Sequence, residues 1–221
     1  MTPSPFIIGM AGGTASGKTT LASKLALLCG SDKVAVIGLD WYYRSQDHLT
    51  LAERTLLNYD HPDSLEYELL ITHLHSLQLG RSIEAPNYDY ALHSRASHTT
   101  RIDTEQRRKE FIVIEGILTF ANAELVKLLD LKVFVDTPEP VRFTRRLERD
   151  TRERGRSPES VHIQWQTSVQ PMHREFCEPS RALADVIVDG QGDLAHTAHS
   201  LWDAVLERSR TRSVGVVGGA V

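Results

Sequence analysis

One short run constrains this chain more than any other. Gly12, Gly13, Thr14, Ala15, Ser16, Gly17, Lys18 and Thr19 fit the pattern G-x-x-x-x-G-K-[ST]. The apolar run "FIIGM" at 6–10 leads in, and "KTTLASKLALL" at 18–28 leads out with amphipathic spacing. Strand, glycine-rich turn and helix N-terminus in that order make the pattern a phosphate-binding loop. The glycines let backbone amides turn toward an anion, and the helix end adds positive field. Within such a loop Lys18 is expected to reach the β- and γ-phosphates of ATP, and Thr19 to offer its hydroxyl to Mg²⁺. Thr20 follows as a further candidate contact. A purely structural protein does not need such a cradle.

A loop of this kind sits at the end of a sheet strand, and the rest of the chain supplies the sheet. The runs at 6–10, 34–39, 111–118, 131–137 and 184–190 are short, rich in β-branched residues and almost unbroken in apolarity. Strands buried on both faces of a parallel sheet read this way. Helical patterns lie between them at 18–28, 64–78, 122–129, 138–153 and 193–208. The expected class is α/β: a P-loop NTPase-type parallel sheet flanked by helices, with right-handed crossovers. Residues 81–104 break the alternation and read as a small β-hairpin arm. The glycine- and valine-rich end, 210–221, is expected to fray.

With 221 residues the chain is one domain with room for a substantial core. Its apolar runs are strand-sized, so no membrane span is expected. The start "MTPSPFIIGM" lacks a basic region and a long apolar stretch, which points to a cytoplasmic setting. Two cysteines, Cys29 and Cys177, are expected to be reduced packing residues. A net charge of −4 gives no reason to expect nucleic acid as a partner.

Two acids fall at carboxyl ends of strands, where sites form in parallel α/β sheets: Asp40 after "VAVIGL" and Glu115 in "FIVIEG". Asp40 is placed to accept a proton from an incoming hydroxyl. Glu115 is placed to hold the water shell of Mg²⁺, which keeps several waters. A strongly basic stretch, "RFTRRLERDTRERGR" at 142–156, has arginines at helical spacing, with Arg142, Arg145, Arg146 and Arg149 on one side. Its acids Glu148, Asp150 and Glu153 read as partners on a solvated helix face. Phosphoryl transfer needs cationic clamps on the moving group, so the region 142–175 is expected to form an arginine-rich helical lid, with Gly155 as a hinge.

Further motifs narrow the reading. "GGTASGKTT", "LDWYY", "NYDHPDSLEYELL", "PNYDYALHSR", "VIEGILTF", "RRLERDTRERGR", "PMHREFCEPS" and "ADVIV" stand in the order found in uridine (uridine–cytidine) kinases, and the chain resembles that family from about residue 6 to about residue 190. The loop motif is shared widely; "YDHPD", "YDY" followed by "HSR", and "ERGR" are more discriminating. The resemblance implies ATP-dependent phosphorylation of the 5′-hydroxyl of uridine or cytidine. Asp40 matches the general base, and Tyr43 a tyrosine of the substrate site. Tyr59 and Asp60 lie in "NYDHPD", where Asp60 matches the acceptor for the ribose hydroxyls and Arg146 its partner on the sugar. Tyr88 and His93 match residues touching the base edge, Tyr90 an aromatic wall, and Arg156 and Gln164 further base contacts. Arg149 and Arg154 match arginines reaching the ATP phosphates. The family further implies a homo-tetramer.

The chain departs from that pattern at several places: Trp41 for a small polar residue, Asn87 for an apolar one, Tyr90 for phenylalanine, Trp165 for tyrosine, and Asp189-Gly190 where Pro-Arg-Gly is usual. Two other functions stay open on the residues alone. One is a P-loop kinase of another small molecule, of the phosphoribulokinase or pantothenate kinase kind. The other is a nucleotide-binding module without turnover.

Overall fold

The unbroken apolar runs become a five-stranded sheet covered on both faces. The computed structural model describes residues 4–30, 32–103 and 109–217, the last five by their backbone alone. The first half contains β1 (Phe6–Ala11), α1 (Lys18–Cys29), β2 (Val34–Gly38), α2 (Leu51–Thr55), α3 (Tyr67–Gln78) and the short strands β3 (Ile83–Ala85), β4 (Tyr88–Asp89), β5 (Ser94–Arg95) and β6 (Thr100–Ile102). The second half contains β7 (Phe111–Glu115), α4 (Ala123–Lys127), β8 (Leu131–Asp136), α5 (Glu139–Glu153), α6 (Pro158–Gln164), α7 (Gln170–Met172), β9 (Val186–Asp189) and α8 (Leu194–Val217).

The main sheet has the order β2-β7-β1-β8-β9, with every pairing parallel. Successive residues of β1 serve opposite cores, which is why the run shows no polar alternation. Ile7 packs with Ile112, Ile114, Phe134, Leu70 and Leu74. Ile8 and Met10 pack with Val113, Val133, Leu21, Leu25 and Leu201 on the other side. Burying each such side chain stabilises the fold by about 1.5–3 kcal/mol.

Residues 81–103 lie apart from the main sheet as two short antiparallel ribbons, β3 with β6 and β4 with β5, while position 104 lies outside the described residues. The ribbon is fastened to the body by Arg95, whose Nε donates to the Tyr43 carbonyl at 3.0 Å and whose guanidinium pairs with Glu66.

Beyond α5 the chain runs through α6 and α7, with π-helical turns at Trp165–Val169 and His173–Cys177. The last helix extends past residue 208, where the sequence pattern ends it, to Val217. A physical reason is Arg212, which donates to Asp130 Oδ2 at 2.7 Å and to the Pro5 carbonyl at 3.1 Å. Residues 218–221 of the expected frayed tail lie outside the described residues. Both cysteines are free, and no helix of the described residues is long and apolar enough to cross a membrane.

Candidate active site

The cradle forms where the central strand β1 hands over to α1. Ser16 N–H closes a turn on the Gly13 carbonyl at 3.1 Å, and Lys18 Nζ folds back onto the same carbonyl at 2.9 Å. Ala15 takes a left-handed backbone with φ 58°. His93, in the arm, is the other non-glycine residue of this kind among those described, with φ 47°, and both line one cleft. Left-handed backbone at residues with a Cβ collects at functional sites, where the surrounding structure over-determines it.

That cleft, about 700 Å³, runs along the carboxyl edge of the sheet. Its phosphate end is lined by Thr14, Ala15, Gly17, Lys18, Thr19 and Thr20, while Gly12, Gly13 and Ser16 lie in the loop beneath without lining it. Glu115 closes β7, in register with Met10 of β1, and its Oε1 accepts from Thr19 Oγ1 at 2.9 Å. Burial draws the Lys18 ammonium below its ordinary range, opposed by Glu115 and Asp40. Burial likewise raises the Glu115 carboxyl, opposed by Lys18. Each group is the other's counter-charge.

Asp40 stands in the tight turn Leu39–Tyr42 that follows β2 and accepts a hydrogen bond from Tyr90 Oη at 3.2 Å. Around it an aromatic wall closes the far end of the cleft. Tyr43 meets Tyr59 and Tyr88 edge-on at 5.1 and 5.0 Å, Tyr88 meets Tyr90 at 5.3 Å, and Tyr59 meets His93 at 5.5 Å. Burial, with the nearby Arg156, Arg154 and Arg54, lowers the His93 pKa and keeps its ring neutral. Asp60 is buried beside this wall. Burial pushes its carboxyl up, while Arg146 and a hydrogen bond from Ser168 Oγ at 3.2 Å pull it back.

The arginines of α5 and the turn after it arch over the cleft. Arg146, Arg149, Arg154 and Arg156 all line it, together with Gln164, whose Oε1 accepts from Arg146 Nη2 at 2.7 Å and Arg156 Nη1 at 2.8 Å. Arg154 lies over the Tyr90 ring at 4.2 Å. Arg142, expected on the same side, instead turns beneath the loop. It is buried, its Nε donates to the Thr137 carbonyl at 3.0 Å, and it stacks on Trp165 at 5.6 Å. Helical spacing put it among the others; the contact that claims it comes from another element.

Asp150 is a second correction. It is wholly buried rather than a partner on a solvated face, and four arginines surround it. Burial alone would raise its carboxyl, but Arg146, Arg149 and Arg154 hold it below the ordinary range. Spacing carries a signal for it, since Asp150 stands four residues after Arg146 and four before Arg154.

Sequence reasoning also missed Gly190 and Leu194 as lining residues, while Arg145, expected on the clamp side of the helix, and Trp41 do line the cleft. Gly190 presses on the cradle: a Cβ there would stand 2.1 Å from Thr137 Oγ1 and 2.2 Å from the Ser16 carbonyl oxygen. Arg145 Nη1 donates to the Gly190 carbonyl at 2.9 Å, so an arginine from α5 occupies the neighbourhood of the unusual Asp189-Gly190 pair. Asp189 itself is exposed.

A parallel sheet with a phosphate-binding loop after its central strand, acids at the ends of two adjacent strands and arginines overhead define a P-loop kinase. Residues 7–195 match the phosphoribulokinase/uridine kinase family, and the chain belongs to it. It is 47% identical over 192 residues to a uridine kinase of Chloroflexus aurantiacus, covering 87% of this chain and 90% of that protein. It is 43% identical over 188 residues to a uridine kinase of Clostridium perfringens, covering 85% of this chain and 88% of that one. The solved phosphoribulokinase of Rhodobacter spheroides has a similar fold, with a TM-score of 0.61 over 85% of this chain and 71% of that one, at 16% identity.

Proposed function

We propose that this protein transfers the γ-phosphoryl group of ATP to the 5′-hydroxyl of uridine or cytidine, giving the monophosphate. The carrying observation is that one cleft is lined by the cradle with Lys18, by Glu115 and Asp40, and by an aromatic wall with His93. The two relatives named uridine kinase, 43% and 47% identical over most of the chain, support the nucleoside. Arg95, the one cation of "PNYDYALHSR", is committed to Glu66 and the Tyr43 carbonyl. It is therefore not offered to a phosphate on the acceptor, which weighs against a sugar-phosphate substrate.

Asp40 accepts the proton of the 5′-hydroxyl as that oxygen attacks, after leaving its hydrogen bond with Tyr90. Asp60, with Arg146, receives the ribose hydroxyls, since a carboxylate suits two neighbouring donors. Tyr88, Tyr90 and His93 hold the base, with Tyr43 and Tyr59 behind them and Arg156 and Gln164 at its edge. A neutral imidazole presents a donor or an acceptor according to its tautomer, so His93 suits the carbonyl of uracil and the amine of cytosine alike. Lys18, Arg149 and Arg154 neutralise charge on the transferring group.

The donors at Thr19 and Glu115 are oxygens, and among the described residues no cluster of three or more His, Cys, Asp or Glu forms a metal site. One hydroxyl and one carboxylate fit Mg²⁺, which is held by few protein ligands together with substrate phosphates. Thr19 and Glu115 would hold Mg²⁺ there, and the ion would supply positive charge against the phosphates. From the resemblance we add a homo-tetrameric assembly, which light scattering tests, and from the sequence start a cytoplasmic setting.

A coupled assay with ATP and Mg²⁺ tests the substrate, using uridine, cytidine, thymidine, adenosine, ribulose 5-phosphate and pantothenate in turn. Turnover confined to uridine and cytidine is expected. Binding of ATP without turnover of any acceptor would sink the proposal.

A further inference from the structure

The carboxylate of Asp150 divides its partners by oxygen. Oδ1 takes the Nε and Nη2 of Arg149, each at 2.8 Å, and Arg154 Nη1 at 3.4 Å. Oδ2 takes Arg156 Nη1 at 3.1 Å and Arg146 Nε at 3.4 Å. On the function proposed above, the first pair serves the ATP phosphates and the second the nucleoside, with Arg146 also donating from Nη1 to Thr14 Oγ1 of the cradle at 3.1 Å. The backbone repeats the grouping. With Gly155 in the left-handed region at φ 65°, the N–H groups of Arg154 and Arg156 both return to the Asp150 carbonyl, at 3.2 and 3.1 Å. Asp150 itself does not line the cleft.

Four guanidinium groups gathered over one cleft repel one another, and a buried carboxylate in their midst fixes where each can stand. When either pair shifts to meet its substrate, the carboxylate must turn, and the other pair moves with it.

We propose that Asp150 is a positioning residue that couples the two halves of the site, so that nucleoside binding organises the arginines that hold ATP, and the reverse.

The test measures binding of the non-hydrolysable analogue AMP-PNP by calorimetry, with and without saturating uridine. In the wild type, uridine is expected to tighten AMP-PNP about 5-fold or more, at the lower end of ordinary coupling between sites. In Asp150→Asn, which keeps the shape and loses the charge, the ratio is expected to fall to about one. General loosening of the fold would lower the active fraction and leave the ratio per active site in place. Should Asp150→Asn fail to fold, Arg156→Lys keeps the charge and removes the planar fork. It is expected to weaken AMP-PNP about 3-fold with no nucleoside present, and to do so equally in a Gln164→Leu background, where the other link from Arg156 through Arg146 to Thr14 is cut. An undiminished ratio in Asp150→Asn, an absent ratio in the wild type, or full AMP-PNP affinity in Arg156→Lys overturns the role. Turnover of uridine by the wild type separates the two ideas. Turnover with an undiminished ratio removes Asp150 alone, whereas no turnover of any nucleoside removes the substrate reading and this coupling with it.

Discussion

At the phosphate end of the cleft, Gly12 to Thr19 are consecutive in the chain and act mainly through backbone. At the other end, Asp40, Tyr43, Tyr59, Asp60, Tyr88, Tyr90 and His93 arrive from three segments and line the cleft. The first kind of site fails when atoms are added, because the backbone has nowhere to go. The second fails when single atoms are exchanged, because the fold does not depend on them. The same molecule therefore has one end intolerant of volume and another intolerant of chemistry.

Exchanging one atom group at the side-chain end should give the largest effect. Asp40→Asn is expected to lower kcat 10²- to 10⁴-fold, about the range of a general base, with uridine affinity and melting temperature kept. Steady-state kinetics with a calorimetric titration checks this, and near-normal kcat would remove Asp40 as the base.

At the backbone end, Gly190→Ala adds a methyl group against Ser16 and Thr137 and should cost about 1–3 kcal/mol of stability. The Michaelis constant for ATP should rise as well. Urea unfolding and ATP titration measure the two, and an unchanged ATP constant would show that the cradle yields.

The underside of the cradle carries an acid sensitivity that the nucleoside end does not explain. Burial, then Arg142, Lys18 and Arg174, holds His173 down at about 4, although Glu178 stands 3.2 Å away; that carboxylate is 54% exposed and screened. The unfolded chain, with an ordinary histidine near 6.5, binds the proton more readily. His173 therefore costs nothing above about pH 6.5 and progressively destabilises the fold as pH falls toward 4. His173→Gln should lessen the drop in stability between pH 7 and pH 4.5 by about 2 kcal/mol. Parallel unfolding curves for both proteins would contradict it.

The smallest effect belongs to the base edge. His93→Phe should change the uridine-to-cytidine ratio of kcat/KM by about 2- to 10-fold, the worth of one neutral hydrogen bond, with the ATP constant kept. An unchanged ratio would take His93 away from the base.

The same difference decided what was legible in advance. The cradle could be read outright because its eight residues are contiguous between a strand and a helix. The sheet was readable because burial on both faces leaves unbroken apolar runs, and Asp40 and Glu115 followed as acids at strand ends. The aromatic wall was reached only through resemblance, since residues so far apart share no period. Asp150 reads in sequence like any solvated pair; its place four residues from both Arg146 and Arg154 is the signal, and the packing over the cleft shows it buried. Gly190 and Arg142 escaped for a related reason. Each is placed by a contact with the loop that begins at Gly12, from far along the chain.

Arg212 has a practical consequence of its own. By joining Ser4 and Pro5 to the last helix beside Asp130, it brings the beginning and the end of the described chain together near the start of β1. The cleft opens at the opposite, carboxyl edge of the sheet. A peptide stapling Ser4 and Pro5 to the helix at Arg212 would thus sit behind the working face and leave its mouth toward the solution.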